Sequence, residues 1–486
     1  MGGVRHRTSD RRAAAALLPI AIGLLLLGCD DLALRTYIMV RAMGGIYVDV
    51  TTGADGSAGT RETPKKTIQA AIQYFIDKGI SGDVRVAEGV YLVQYDAGTF
   101  VQVREGVSLY GGYSAGFGTR DPAVYETKIV DQSTTGGTLT EPNRAVDVPA
   151  GVTGATVIDG FTIQGGGGDY AGAVFCSSSS PTVSDNKIIG GAAQTDSFGI
   201  YSYDADPHIV NNREINGGSA VGWVAIAVYN YAGAAPVIEN NYIFGGTGPR
   251  TAGVVSESGT APVINANTIH GGEGTTQADG IQDNGSAAKI WNNLISGGTG
   301  CNFSAGIRCF FTCTAQIYNN TINGGGGTSA QGISLSDGGT PATIPTPFIR
   351  NNIVFTAGGG FCLYEQHTNP GNPQAVDNNA LWDNGGTTIL YRRAVGGTTD
   401  YDTAATVNGL AWADSNNESA PVFVDIDGSD NVLNTLADND WHLTAACPSE
   451  IRIGGLDLIA VFRYDRDGTL RTGNGALYWS MGAFEY

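Results

Sequence analysis

The phrase Asn-x-Ile-x-Gly-Gly starts at Asn186 and returns at Asn241, Asn267, Asn293 and Asn320, with a one-residue-longer variant at Asn212. A second beat runs beside it. Gly172, Gly199, Gly253, Gly280, Gly306, Gly332 and Gly360 each precede a strand-like run, Ala225-Ile226 fills the vacant slot, and the steps are 26 to 28 residues. A fixed period of this length predicts one small unit stacked many times, because a single unit cannot bury its own apolar face.

Each period carries three short apolar runs. One follows the marker glycine. One often follows a proline (Pro181, Pro207, Pro236, Pro262 and Pro347), and the third is the Asn-x-Ile run. Three short strands with corners between them predict one rung of an all-β parallel β-helix solenoid. Rungs pair at ~4.8 Å, so eight regular rungs rise ~35 Å. The isoleucines stack inside. Asn186, Asn212, Asn241, Asn267, Asn293, Asn320, Asn352 and Asn379 are expected to form an amide ladder at one corner. The ladder would give partners to turn backbone that otherwise has none. A sandwich or barrel lacks such a period.

Composition narrows the function classes. Glycine is 72 of 486 residues without a strict G-X-Y period, which excludes collagen. The net charge of -19 argues against nucleic acid, whose binders need a basic stripe. At the N-terminus Arg5, Arg7, Arg11 and Arg12 precede Ala13 to Leu27, an apolar run of 15 residues that is short for a membrane span. The run ends at Leu26-Leu27-Gly28-Cys29, which resembles a bacterial lipobox. That resemblance implies a signal peptide over 1–28, lipidation at Cys29 and a tether over 29–45. It also implies a membrane partner reached through the lipid, at the outer membrane and cell surface or at a periplasm-facing membrane. An exported chain permits disulfides, and a local bridge is expected among Cys301, Cys309 and Cys313, which share one period.

Residues 46–162 read as an N-terminal cap with the first coils. Ile46 to Val50 is a strand. Thr63 is expected to cap a helix that Pro64 opens and Gly79 ends, with Ile68, Ala71, Ile72, Phe75 and Ile76 as its apolar stripe. A lone amphipathic helix before a β array is expected to cover the open edge of the first coil. Residues 163–400 are the regular repeats. Residues 401–486 are the last coils and an irregular C-terminal cap, expected to pack over the last rung.

Three stretches resemble the bacterial exported right-handed parallel β-helix (pectin-lyase-like) proteins of unknown function. They are Ile46–Val50 with Gly53-Ala-Asp-Gly56 and Thr63 to Ile72, then the Asn-x-Ile-x-Gly-Gly coils, and finally Asp467-Gly…Arg471…Gly482-Ala-Phe-Glu-Tyr486. The resemblance implies the right hand of the solenoid and export. It leaves the activity open, because one fold hosts many functions.

The paired-carboxylate runs of the polygalacturonase type and the Trp-x-Asp-His run of the pectate-lyase type are absent, and Asp30-Asp31 is the only Asp-Asp. One surface invites a ligand. Alternate residues after the marker glycine are expected to point outward as the pairs Tyr201/Tyr203, Ala227/Tyr229, Val255/Glu257, Gln282/Asn284, Arg308/Phe310, Ser334/Ser336 and Cys362/Tyr364. Asp283, offset by one, is expected to point inward or into a corner. Beside this face lie Trp223, Arg250, Glu273, Asp279 and Phe303. Aromatic faces with amides, carboxylates and an arginine suit a glycan, a host surface molecule or another extended partner. The candidate ligand-binding set is Tyr201, Tyr203, Tyr229, Glu257, Asp279, Gln282, Arg308, Phe310 and Tyr364. The reading is of a lipid-anchored binding protein rather than an enzyme. A polysaccharide lyase built on Glu257, Asp279 and Arg308, or a purely structural envelope protein, are the alternatives. No cofactor is expected. Calcium is the one candidate ion, between those acids or at Asp425-Ile-Asp427-Gly428 and Asp465-Arg-Asp467-Gly468.

Overall fold

The computed structural model describes residues 45–339, 343–356, 359–367, 372–384, 389–433, 436–472 and 478–486. The expected signal peptide over 1–28, Cys29 and the expected tether up to residue 44 lie outside the described residues. The chain is an all-β right-handed parallel β-helix whose strands fall into three long sheets of 13, 13 and 11 strands. A proline-side sheet holds three-residue strands such as Thr182–Ser184, His208–Val210 and Val263–Asn265. An asparagine-side sheet holds Lys187–Ile189, Tyr242–Phe244, Thr268–His270 and their equivalents. A long sheet holds strands of up to 12 residues, among them Ala192–Tyr203, Thr247–Glu257 and Glu273–Asn284.

The core is a set of stacked aliphatic columns. Ile188, Ile215, Ile243, Ile269, Ile295 and Ile322 form one, and each is wholly buried. Each such side chain contributes about 1.5–3 kcal/mol on burial. A helix, Ile68–Lys78, closes the N-terminal end with Ile68, Ala71, Ile72 and Phe75 turned onto the core. Its start differs from the expected one. Thr67, not Thr63, is the N-cap, and its side chain accepts from the Ala70 N–H. The reason is local. Lys65 still bridges to Val48 as strand, and the Asp55 carboxylate holds the Lys66 and Thr67 N–H groups, so the helix cannot begin earlier. Gly79 ends it in the left-handed region, as expected.

The asparagine ladder forms and runs further than the repeat. The Asn186 N–H and Nδ2 both donate to Asn212 Oδ1 at 3.1 and 3.2 Å, while Nδ2 also reaches the Ile158 carbonyl at 2.9 Å. The same pattern passes through Asn241, Asn267, Asn293, Asn320, Asn352 and Asn379 to Asn416, where Asn408 Oδ1 receives the last pair. The residue before each ladder asparagine turns the corner in the left-handed region. Asn211, Asn240, Asn292, Asn319, Asn351 and Asn378 all stand at φ +50 to +57°, where asparagine is tolerated better than most residues.

The closing segment does not sit over the last rung. The core's C-terminal end is closed earlier, by Ala404–Val407, with Val407 in the core and Leu410 and Trp412 against it. The chain then returns along the outside of the asparagine corner. Asn378, Asn351, Asn319 and Asn292 each donate from Nδ2 to its backbone, at Gly454, Leu456, Ser480 and Tyr464, over 2.8–2.9 Å. Arg466 continues one rung further, donating to the Ala266 carbonyl. Phe355, Ile353 and Leu294 on the rod pack against Trp441, Phe423, Met481 and Phe484 of this strap. Arg471 is buried and donates to Asn292 Oδ1, Gly482 O and Ala483 O, so the terminal Arg…Gly-Ala-Phe-Glu-Tyr motif clasps a corner of the rod.

The six cysteines among the described residues are buried free thiols, so the expected local bridge is not formed. Cys309 and Cys313 are hydrogen-bonded to each other inside the core.

The ladder makes a direct prediction. Asn293→Ala strips the acceptor from the Asn267 N–H and Nδ2 and leaves buried groups unpaired. The cost is about 3 kcal/mol, read as a fall in the urea midpoint. Asn408→Ala, at the ladder's end, lowers it less.

Candidate ligand-binding groove

The marker glycines shape the site. Phe198 and Tyr201 both face outward from the long sheet, while Ile200 between them lies in the core. The two-residue alternation of a strand breaks between them, so the backbone turns at Gly199. The corner leaves little space for a side chain. A Cβ at Gly253 would stand 2.5 Å from Ile269 Cγ2, and one at Gly280 would stand 2.6 Å from Ile295 Cγ2. Each long strand is thereby divided into a wall before the corner and a floor after it.

Register then sets the columns. The wall reads Tyr170, Asp196, Val224, Arg250, Gln277, Phe303 and Ser329 in successive rungs. The inner floor column reads Phe175, Tyr201, Tyr229, Val255, Gln282, Arg308, Ser334, Tyr364 and Arg392. An outer column carries Glu257, Asn284, Phe310, Ser336 and Gln366. Between wall and floor lie two adjoining depressions of about 500 and 480 Å³ that share Arg250 and Phe310. From the rung of Phe198 to that of Ile389 there are seven steps, so the groove runs about 34 Å along the rod.

Two of the expected outward pairs are corrected. Ala227 and Cys362 point into the core. They occupy the corner position that glycine holds in other rungs, and the Cys362 thiol donates to the Val354 carbonyl at 3.4 Å. The outward pairs in these rungs are Tyr229/Tyr231 and Tyr364/Gln366. Asp283 does face inward, where Ser286 N–H and Oγ donate to its carboxylate at 2.7 Å.

The nine candidate residues do not form one cluster. Tyr201 is wholly buried, its ring packed by Phe175, Phe198 and Tyr229, so it supports the floor rather than meeting a ligand. Tyr203 stands beside it, edge-on to its ring. Tyr229 is nearly covered and its hydroxyl reaches Glu257 at 3.5 Å. Glu257 also accepts from Asn284 Nδ2 at 3.0 Å, and burial raises its pKa above the ordinary carboxylate value. Gln282 donates to Asn284 Oδ1 at 2.9 Å. Arg308 grips Asp279 with two bonds, Nε to Oδ2 at 2.9 Å and Nη2 to Oδ1 at 3.0 Å. Asp279 lies beneath it with no exposure, so Asp279 and Arg308 are paired with each other, while Glu257 is bonded to Tyr229 and Asn284 instead. Phe310 and Tyr364 line the C-terminal half of the groove.

The repeat pattern missed several lining groups. Arg392 lies beyond the last marker glycine, and Phe361 follows Gly360, which stands two positions before the corner that Cys362 fills. Gln277 and Asp196 fall before the marker, and Leu139 comes from the irregular first coils. Trp223, Arg250 and Phe303, read as loop residues beside the face, are part of its wall, and the Arg250 guanidinium sits 4.8 Å over the Trp223 ring.

No group of three or more His, Cys, Asp or Glu side chains among the described residues is placed to hold a metal ion. The Asp-Gly turns use their carboxylates internally. Asp425 accepts from the Gly428 N–H, Asp465 from Asp467, Thr469 and Glu485 N–H, and Asp467 contacts His442.

Residues 225–400 match the family described as right handed beta helix region. Residues 51–222 match a protein family of unknown function, DUF1565. No curated protein matches the chain. Among solved structures it is similar to the Dettilon tailspike protein, at 13% identity over 71% of this chain and 68% of that one, with a TM-score of 0.42. It is also similar to the A-module of mannuronan C-5 epimerase AlgE6 of Azotobacter vinelandii (16% identity, 73% and 95% covered, TM-score 0.35). A third is pectate lyase Pel9A (13% identity, 90% and 96% covered, TM-score 0.36).

Burial of Asp196, 8% exposed in the wall, raises its pKa from 3.8 to about 6, against one opposing bond from the Val224 N–H. Folding therefore favours the protonated carboxyl. Its contribution is full below about pH 3.8 and is lost as the pH rises through about 6. Asp196→Asn is expected to melt about 2 °C higher than the parent at pH 7.5. The two melting curves should coincide at the acid end of that range.

Proposed function

We propose that this right-handed parallel β-helix is a cell-envelope protein, tethered by a lipid on Cys29, that holds an extended glycan along the walled groove of its long sheet. The observation that carries the reading is the groove itself. It is long, shallow and open, where a small-molecule site is deep and closed. Its wall presents two half-exposed rings, Trp223 at 52% and Phe303 at 50%. Exposed aromatic rings with hydrogen-bonding neighbours offer apolar faces to sugar rings and polar partners to their hydroxyls. Gln277, Gln282, Asn284, Gln331 and Gln366 supply amides along the same track.

Binding is favoured over catalysis by the state of Asp279. Both of its oxygens are taken by Arg308, Gln277 donates to one of them, and the carboxylate has no access to a ligand. A base that cannot reach a proton cannot remove it. A glycan partner suits a rod anchored at an envelope, since a site extended over many rungs can engage a polymer at several places at once.

Trp223→Ala and Phe303→Ala are each expected to weaken glycan binding about tenfold, or ~1.4 kcal/mol, with the melting temperature unchanged. Titration calorimetry on ligands picked from a glycan array measures it, and a blank array sinks the reading. The anchor has a separate check. Metabolic acyl labelling should vanish in Cys29→Ala, and label that persists removes the lipid from the proposal.

A further inference from the structure

The groove is chemically divided. The chain carries 46 acidic and 27 basic residues, so a random stretch of its surface is acidic. The C-terminal half of the groove departs from that background. Among the described residues it is lined by Arg250, Arg308 and Arg392 and by no Asp or Glu. The groove's lining carboxylates, Asp196 and Glu257, both belong to the other half.

The three arginines are held by one device used three times. Each lies over a groove aromatic: Arg250 over Trp223 at 4.8 Å, Arg308 over Phe310 at 5.6 Å and Arg392 over Phe361 at 4.6 Å. Each also has a polar partner that fixes the guanidinium plane. Arg250 donates to Gln277 Oε1 at 2.8 Å, Arg308 to Asp279, and Arg392 to Asp400 by two bonds of 2.6 Å. A guanidinium has five N–H donors. Among the described residues these bonds use one or two and leave Nη1 unspent in each. Fixed guanidinium groups with spare donors are what planar acid groups need for bidentate recognition.

Resting on the reading of the groove as a glycan site, we infer that this half selects an anionic glycan in which acidic sugars are separated by one or two neutral ones. The spacing carries the second part. Arg250 stands two rungs before the rung of Arg308, and Arg392 stands three rungs after it. At ~4.8 Å per rung these intervals are about 10 and 14 Å. A pyranose unit in an extended chain is about as long as one rung step, so the arginines meet every second or third sugar. Between Arg308 and Arg392 the track offers Ser334 and Tyr364, and Phe303 stands in the wall of Arg308's own rung; none of these adds a charge, which suits a neutral ring. A polymer acidic at every sugar would place carboxylates against Asp196 and Glu257 in the first half, where like charges repel.

Titration calorimetry on the whole protein tests this, with four probes: hyaluronan oligosaccharides, which alternate acidic and neutral sugars, the same after carboxyl reduction, polygalacturonate, and a neutral β-glucan. The alternating probe should bind tightest, and carboxyl reduction should cost at least tenfold. Arg250→Gln and Arg392→Gln should each lower its affinity severalfold and flatten the salt dependence, with the melting temperature retained. If the reduced probe or the β-glucan binds as well as the parent, the anionic selection is wrong and the glycan groove stands. If polygalacturonate binds as tightly, the spacing argument is wrong. If no probe binds, the inference and the glycan reading fall together.

Discussion

Register at one corner is the constraint on which the rest of the molecule depends. Each ladder asparagine offers a single Oδ1 to two donors of the rung before it, its backbone N–H and its own side-chain amide. A rung displaced by one residue would lose both bonds and would also turn every core isoleucine to solvent, since strand side chains alternate. The ladder therefore holds the aliphatic columns inside and, by the same act, holds the wall and floor columns of the long sheet opposite one another. The groove contains no ladder residue, yet its geometry is set there.

The glycine corner is the second device, and it explains why the marker glycine beats with the asparagines. The long strand must turn where it passes the isoleucine of the asparagine-side sheet, and there is no room for a Cβ at that turn. Ala227 and Cys362 show how the restriction relaxes. Both occupy the corner with a small side chain turned into the core, and so does Ala173 one rung before Gly199.

The fold was legible because its determinants are periodic. Isoleucine, asparagine and glycine recur at fixed positions, and each column's chemistry follows from residue type. The site was only partly legible, because it is made of what does not recur. Outward columns were readable wherever the glycine marked the corner, which recovered Glu257, Gln282, Arg308 and Phe310. They failed at Ala227 and Cys362, where the corner residue is not glycine and counting from the wrong landmark exchanged inside for outside. The wall was missed as a wall because a break in alternation leaves no composition signal. The pairing of Arg308 with Asp279 was missed because a residue before the corner and one after it, in adjacent rungs, meet only once the backbone has turned. The return of residues 454–482 along the asparagine corner was hidden for a related reason. The outer asparagines that receive it, such as Asn351, look the same in sequence as Asn240, which lies beyond its reach.

That return has a consequence for function. A three-sided rod has three faces to dispose of. The strap covers the asparagine corner and parts of both adjoining faces, where Trp291 stacks on Phe462 and Phe355 meets Trp441 edge to face. The long sheet is left open over the same rungs. A strap that grips side-chain amides and buried rings holds rung to rung from outside, as the ladder does from inside, and it does so away from the groove. Substitutions in the wall and floor columns then touch neither set of bonds. The long-sheet surface proposed to hold a glycan is thus uncoupled from the bonds that carry stability, which is the condition under which residues such as Arg250, Phe303 and Arg392 can change while the rod stays the same.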